Sequence, residues 1–341
     1  MKLPLFIIKY TQYEYWPWLL FYIPVLPYWL FLAAKNRSLA YFTSANPGIE
    51  LGGFYGESKS DILNLIDKKY LPITIEVDRI SFDCILNKMK DNDLDFPLIA
   101  KPDVGERGND VVKINNIEEL IQYNLKCKSK YIIQEYISYE YEFGILYSRL
   151  PNSNQGKVTS VTLKEFLSVV GDGTSTIKEL MQKNTRARFQ IARIQSLIGD
   201  EMDRVLAKGE KHIVEHIGNH CRGTRFIDNN YLINDKLNAV FDTISLPING
   251  FYYGRFDLKV KSIADLYLGK HIKIMELNGA SSEPGHIYDS SHTLFKAYKD
   301  LLSHWSRLSD VSMQNVKRGY KPVPFSIIVK SYFKFIVLKN V

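Results

Sequence analysis

Hydrophobic positions along this chain fall into three patterns. From Trp16 to Ala34 they form one uncharged, aromatic run; from about Thr74 they come in short blocks bounded by charges, glycines and prolines; after Asp310 they alternate with lysine and arginine. The short blocks read as strands. Leu98-Ile-Ala-Lys101 is a buried strand ending on a charge, and Val111-Val-Lys-Ile114 is its neighbour across a glycine-bearing turn. Tyr131 to Gln134, Glu142 to Tyr147 and Lys157 to Leu163 follow, with a late pair at Phe251 to Lys259 and His271 to Leu277. Between them lie helices. Asn116 with Glu119 and Thr176 with Glu179 have capping-box spacing, the second helix continuing through Arg186, Arg188 and Arg193. A further helix is expected from about Ser60 to Lys69. Interleaved strands and helices make this a mixed α+β chain.

The two ends differ from this middle. Nineteen uncharged residues suffice to cross a bilayer as one helix, but Pro24 and Pro27 each remove a helical hydrogen bond in mid-run. A signal peptide fits poorly, because the block is long and aromatic and no small-x-small site follows. Two readings stand for 16–34: a segment lying in a membrane interface, where Trp and Tyr concentrate, or an aromatic plate that caps the core or meets a second subunit of a homodimer. In the tail, Lys317, Arg318, Lys321, Lys330, Lys334 and Lys339 alternate with Phe325, Ile327, Ile328, Tyr332, Phe335 and Ile336. Segments 16–34 and 318–341 are both candidates for membrane-surface contact, the tail's alternative being a docked terminal element. The expected division is 1–75, 76–150, 151–310 and 311–341.

Composition narrows the class. With 45% hydrophobic and 24% charged residues among 341, the chain is neither disordered nor fibrous. Its net charge of +7 suits an anionic partner. Basic residues are dispersed and aromatics cluster in apolar runs instead of stacking platforms, which argues against nucleic acid. Cys84, Cys127 and Cys221 lack any CxxC spacing, so neither a disulfide framework nor a zinc site is expected. A reducing, cytoplasmic compartment follows, peripheral at the inner membrane face if the apolar ends bind lipid.

Three constellations carry chemistry. Lys101 ends a buried strand, where an amine is costly without an anion, and Gly105 and Gly108 in the next loop can turn N–H groups towards a phosphate. Glu135, followed by Tyr136 and Ile137, can meet a base edge, and Glu142 can hold sugar hydroxyls. Arg255-Phe-Asp257 and Glu276-Leu-Asn278 each place alternate residues on one strand face. Two carboxylates and an amide oxygen suit a hard divalent cation. Upstream, Gly48, Gly52, Gly53 and Gly56 mark either a close backbone approach or a plain connecting loop.

In this order the features resemble the ATP-grasp superfamily, most closely D-alanine–D-alanine ligases and, through Val169 to Leu180 and Gly218 to Asp228, cyanophycin synthetase-like ligases. The resemblance covers roughly residues 80 to 305. It implies two lobes with ATP between antiparallel sheets, the small lobe in 76–150 and the large in 151–310. Lys101 would bind phosphates under a flap of Gly105, Arg107 and Gly108; Glu135, Tyr136 and Ile137 would hold adenine, and Glu142 ribose. Asp257, Glu276 and Asn278 would hold one or two Mg²⁺ or Mn²⁺ ions. Arg255 would stabilise a tetrahedral intermediate and Lys164 would reach the γ-phosphate. Lys88 is the candidate second phosphate lysine. Arg222, Arg225 and Lys164 could receive ATP or an anionic second substrate, and His220 and His286 lie in loops near the site. The implied activity is an ATP-dependent ligase joining a small-molecule or peptide-like carboxylate to an amine. The alternatives are a kinase that stops at phosphoryl transfer and a non-catalytic nucleotide-binding scaffold. The loop Gly279-Ala-Ser-Ser-Glu283-Pro-Gly285 departs from the family, as do the first 75 residues.

Overall fold

Alternation decides the sheets. A computed structural model describes residues 3–105 and 108–339. Within it β1 (Thr74–Val77), β2 (Leu98–Pro102), β3 (Val112–Ile114) and β4 (Tyr131–Glu135) form an antiparallel sheet in the order β1-β4-β2-β3. Leu98 and Ala100 are fully buried with Ile133 beneath helices Phe82–Asp91 and Ile117–Lys126. Period two then turns Ile99 and Lys101 to the opposite face.

A second antiparallel sheet has the order β11-β10-β5-β6-β9, built from β5 (Tyr141–Ser148), β6 (Lys157–Glu165), β9 (Arg225–Asp228), β10 (Tyr253–Val260) and β11 (Ile272–Asn278). In β10, Phe256 and Leu258 join a core with Phe143, Ile145 and Phe241, the last from helix Asp235–Ser245. Arg255, Asp257 and Lys259 take the other face. The α+β class and the paired antiparallel sheets are as expected. A two-stranded ribbon, β7 (Ser168–Val170) with β8 (Lys211–Ile213), carries its own small core.

Several boundaries differ from the sequence reading. The small sheet ends at Glu135 and the large one starts at Tyr141, so the division falls at 136–140 and not at 150, because β5 pairs with β10 along its whole length. The helix begun at Thr176 stops at Lys183; Asn184 caps a separate helix, Thr185–Arg188, and Ile191–Ile198 follows. The helix expected over 60–69 is only Lys59–Leu63, capped by Ser58, because Asp67 starts a new turn at Lys68–Tyr70. Helix Leu294–Lys317 runs past residue 310, and a final helix spans Phe325–Lys339. All three cysteines are free.

Segment 16–34 is not one straight helix. It forms Trp18–Tyr22, a 3₁₀ turn Ile23–Val25 that holds Pro24, and Leu26–Lys35 with Pro27 in its first turn, where the ring is tolerated. Phe21, Val25, Leu32 and Ala33 are buried against the body. Downstream, Asn46 stitches the glycine segment to β10. Its Nδ2 donates to Gly52 O and Tyr253 O, and its Oδ1 accepts from the Tyr252 and Tyr253 amides. Gly52 and Gly53 sit against the chain after β11: a Cβ on Gly53 would lie 2.7 Å from Gly279 Cα. Gly48, Gly52 and Gly53 therefore mark a close approach, whereas Gly56 has open space beside it.

Asn46 is fully buried with four bonds to backbone groups, so Asn46→Ala leaves those groups unpaired. We expect about 2–4 kcal/mol lower unfolding free energy, read from urea denaturation; a loss below about 0.5 kcal/mol would contradict this role.

Candidate active site

Facing sheets leave a cavity of about 460 Å³ between them, lined from the small sheet by Lys101 and Glu135, from the connection by Tyr136 and Ile137, and from the large sheet by β5, β6, β10 and β11. The sheets touch across it. Lys101 Nζ donates to Gln134 Oε1 at 3.1 Å within its own sheet and to Met275 O at 2.9 Å on β11. Burial pushes this amine down to about 8, against the opposing pull of Glu276.

The register of β10 and β11 sets Asp257 directly opposite Glu276, and Arg255 opposite Asn278. Opposed residues share a face, so both carboxylates and the amide meet in the cleft. Arg255 holds Asp257 bidentately, Nε to Oδ1 at 2.9 Å and Nη2 to Oδ2 at 3.1 Å. Lys164 Nζ stands 3.3 Å from Asp257 Oδ1 and 3.5 Å from Glu142 Oε1. Burial opposes ionisation of Asp257, but Arg255 and Lys164 outweigh it and hold the carboxyl below the usual range. Asn278 Nδ2 lies 3.4 Å from Asp257 Oδ2.

Two glycines make room for this row. A Cβ on Gly144, the β5 residue opposite Asp257, would stand 3.2 Å from Asp257 Oδ1. One on Gly218 would lie 2.0 Å from Glu142 Oε1. The Gly218 position needs hydrogen in place of a side chain, and at Gly144 a Cβ would crowd the Asp257 carboxylate.

Lys101, Gly105, Gly108, Glu135, Tyr136, Ile137, Glu142, Lys164, Arg255, Asp257, Glu276 and Asn278 all border this cavity. Arg107 lies outside the described residues. Glu135 Oε2 accepts from Ile73 N at 3.1 Å, which fixes its carboxylate. Lys259 Nζ donates to Ile137 O at 2.8 Å and reaches Glu142 Oε2 at 3.9 Å.

Other assignments are corrected. Lys88 points away, its amine on Glu76 O along the outer helix. A different lysine, Lys59, lines the cavity, donates to Gly105 O at 2.6 Å and lies 3.9 Å from Glu276 Oε1. Arg222 is taken by Glu215 at 3.0 Å and braces the flap through Gly108 O, and Arg225 pairs with Glu165 on the outer edge; neither faces the cavity. His220 is half-buried against Glu14 and His286 bonds Ser160 and Asp300, whereas His216 borders the cavity. Lys259 was legible as the third member of an Arg-x-Asp-x-Lys alternation; nothing in the sequence marks Lys59 or His216.

Among the described residues no cluster of three His, Cys, Asp or Glu side chains forms a metal cage. Asp257, Glu276 and Asn278 nevertheless supply hard oxygens on one face, which fits Mg²⁺, a cation that keeps waters and takes its other ligands from phosphate.

No protein-family model matches this chain, and no curated protein matches it. Solved structures with similar folds include a bifunctional glutathione synthetase from Pasteurella multocida (16% identity over 72% of this chain and 35% of that one, TM-score 0.36). Others are the VanG D-Ala:D-Ser ligase from Enterococcus faecalis (13%, 72% and 60%, 0.40) and a D-alanine–D-alanine ligase from Bacillus anthracis complexed with ATP (16%, 77% and 66%, 0.38). The chain spans about a third of the first and three fifths of the second. At these scores they are likenesses only, and the cavity's residues carry the functional reading.

Lys101 gives a test independent of ligand. Its amine loses a proton at about 8 when folded and at 10.5 when unfolded. Between those values the unfolded chain binds more protons, so stability rises with pH. Relative to Lys101→Met, the wild type should gain roughly 3 kcal/mol across that window, measured by denaturation at several pH values. Parallel curves would refute the buried amine.

Proposed function

We propose that the chain is an ATP-dependent carboxylate–amine ligase. The observation that supports it is the placement of Lys101 on one sheet against Asp257, Glu276 and Arg255 on the other, around a single cavity. Lys101 and Lys59 receive the phosphates; Tyr136, Ile137 and Glu135 border the base, and Glu142 the ribose. A carboxylate oxygen of the acid attacks the γ-phosphorus, and the bond to the β–γ bridging oxygen breaks, giving an acyl phosphate and ADP. Amine nitrogen then attacks the acyl carbon, and the resulting tetrahedral intermediate expels phosphate. Such transfer depends on positioning and charge neutralisation more than on a protein nucleophile. Arg255 and Lys164 supply positive charge where the oxyanion forms. Asp257, Glu276 and Asn278 would hold a divalent cation, which would neutralise phosphate charge.

The enzyme works at an anionic membrane face. Residues Trp18–Lys35 are long and apolar enough to cross a membrane, with mean hydropathy 1.4, yet only 22% of that stretch is buried. Trp18, Ile23 and Phe31 are each about 60% exposed, and Phe325 and Phe333 extend the apolar surface on the last helix. Ile328 of that helix packs in the same core cluster as Leu32, so the two segments adjoin. Exposed Lys9, Arg37, Lys321 and Lys330 surround them, while Glu14, the one acid before residue 50, is buried against Arg186. An apolar face with a basic fringe matches anionic lipid.

Turnover should appear as ADP release with amide product when Mg²⁺, ATP and pooled carboxylates and amines are supplied. Asp257→Asn and Glu276→Gln should each lower it at least about 10³-fold. A stable phosphorylated product would make the chain a kinase, and no wild-type turnover with any pool would make it a scaffold.

Wild type should sediment with phosphatidylglycerol vesicles and not with phosphatidylcholine vesicles, and the triple variant Trp18→Glu, Ile23→Glu, Phe31→Glu should stay in solution. Equal sedimentation of the two proteins would remove the membrane reading, and a wild-type dimer that the triple variant dissolves would assign the face to a second copy.

A further inference from the structure

Strand β10 works as a ruler along the cavity. Lys259, Asp257 and Arg255 stand on its cleft face, successive members about 7 Å apart. Lys259 marks the end at the connection between sheets, through Ile137 O. Asp257, opposite Glu276, marks the middle, and Arg255 the far end. On the ligase reading, the nucleophile that meets the activated acid comes in beyond Arg255.

That end is closed by the loop after β11, where this chain carries Glu283. The loop is fixed on several sides. The Ala280 and Ser281 amides donate to Gly52 O and Gly53 O. Ser282 Oγ accepts from Arg255 N at 3.1 Å. Arg255 Nη1 lies 3.3 Å from Glu283 O. Glu283 borders the cavity, and its Oε2 accepts from Tyr288 Oη at 2.9 Å. No ion pair to Glu283 forms among the described residues, because Arg255 spends its guanidinium on Asp257 and on the Glu283 carbonyl. The other titratable groups around it are His220, whose ring stands 5.2 Å from that of Tyr288, and Cys221 behind the same phenol. The site thus ends in a carboxylate that accepts from a neutral hydroxyl and, among the described residues, forms no ion pair.

An amine reaches an enzyme at neutral pH as an ammonium ion, which has no lone pair with which to attack. It needs a cation-binding group and a proton acceptor at the point of attack. We propose that Glu283, oriented by Tyr288, is that group: it binds the ammonium of a primary alkylamine substrate and takes one of its protons. The N–H electron pair stays on nitrogen, nitrogen forms the bond to the acyl carbon, and phosphate leaves with the carbon–oxygen electrons and carries off the second nitrogen proton, so that the amide is neutral. Burial pushes the Glu283 carboxyl up to about 7, close to the working range of a general base. This inference rests on the ligase reading above.

The experiment compares two nucleophiles on one activated acid. Hydroxylamine is largely uncharged at neutral pH and needs no protein group to remove a proton first. Wild type is incubated with Mg²⁺, ATP, the twenty amino acids as acid probes and either hydroxylamine or methylamine. Glu283→Gln, which preserves the bond to Tyr288, should keep hydroxamate formation within about twofold and lower methylamide formation by about 10²-fold or more. Its residual methylamide rate should follow the free-amine fraction, climbing about tenfold per pH unit with no break near 7. Tyr288→Phe should lower methylamide formation about tenfold with hydroxamate unchanged. Equal losses with both nucleophiles, or no loss with either, would overturn the role of Glu283 while leaving the ligase standing. Absence of any hydroxamate from wild type would overturn the ligase reading and this inference with it.

Discussion

A row of buried charges, Glu142–Lys164–Asp257–Arg255, is the constraint around which the molecule is organised. Each member is held by a partner at 3.5 Å or less. Taking four charges from water costs several kcal/mol apiece before attraction is counted, and apolar residues in their place would be easier to bury. The arrangement makes sense where charged ligands are to be received. The rest of the fold supports it: antiparallel register sets Asp257 against Glu276, glycines at 144 and 218 leave space, and Phe256 and Leu258 anchor the reverse face in the core.

Much of this was legible because strand periodicity and chemistry coincide there. Arg-Phe-Asp-Leu-Lys reads charged on one face and apolar on the other, and the structure keeps that alternation. Lys101 at the end of an apolar block was legible for the same reason. Legibility failed where contacts are distant in sequence. Lys59 reaches Glu276 across 217 positions (276 − 59), and nothing in its local pattern distinguishes it from a surface lysine. Arg222 and Arg225 looked available as cations, yet Glu215 and Glu165 had already claimed them. Extent failed too: β5 was grouped with the strands before it, whereas its pairing with β10 places it in the larger sheet.

The first 75 residues show how a segment without a family resemblance can belong to a site. Asn46 ties the glycine segment to the start of β10, and Gly52 and Gly53 press against the loop that carries Glu283. The same stretch exposes Trp18, Ile23 and Phe31 outward. One continuous segment thus joins the exposed apolar face to the end of the cavity.

On the proposed reading, a nucleotide's phosphates lie between Lys101 and the Asp257–Glu276 pair. Crystals of the chain grown with Mg²⁺ and a non-hydrolysable ATP analogue test it most directly. Density for the triphosphate within hydrogen-bond reach of Lys101, with a cation on Asp257 and Glu276, is the predicted result; an analogue bound elsewhere, or an unbroken Lys101–Met275 contact in a cleft that stays empty at saturating analogue, contradicts it.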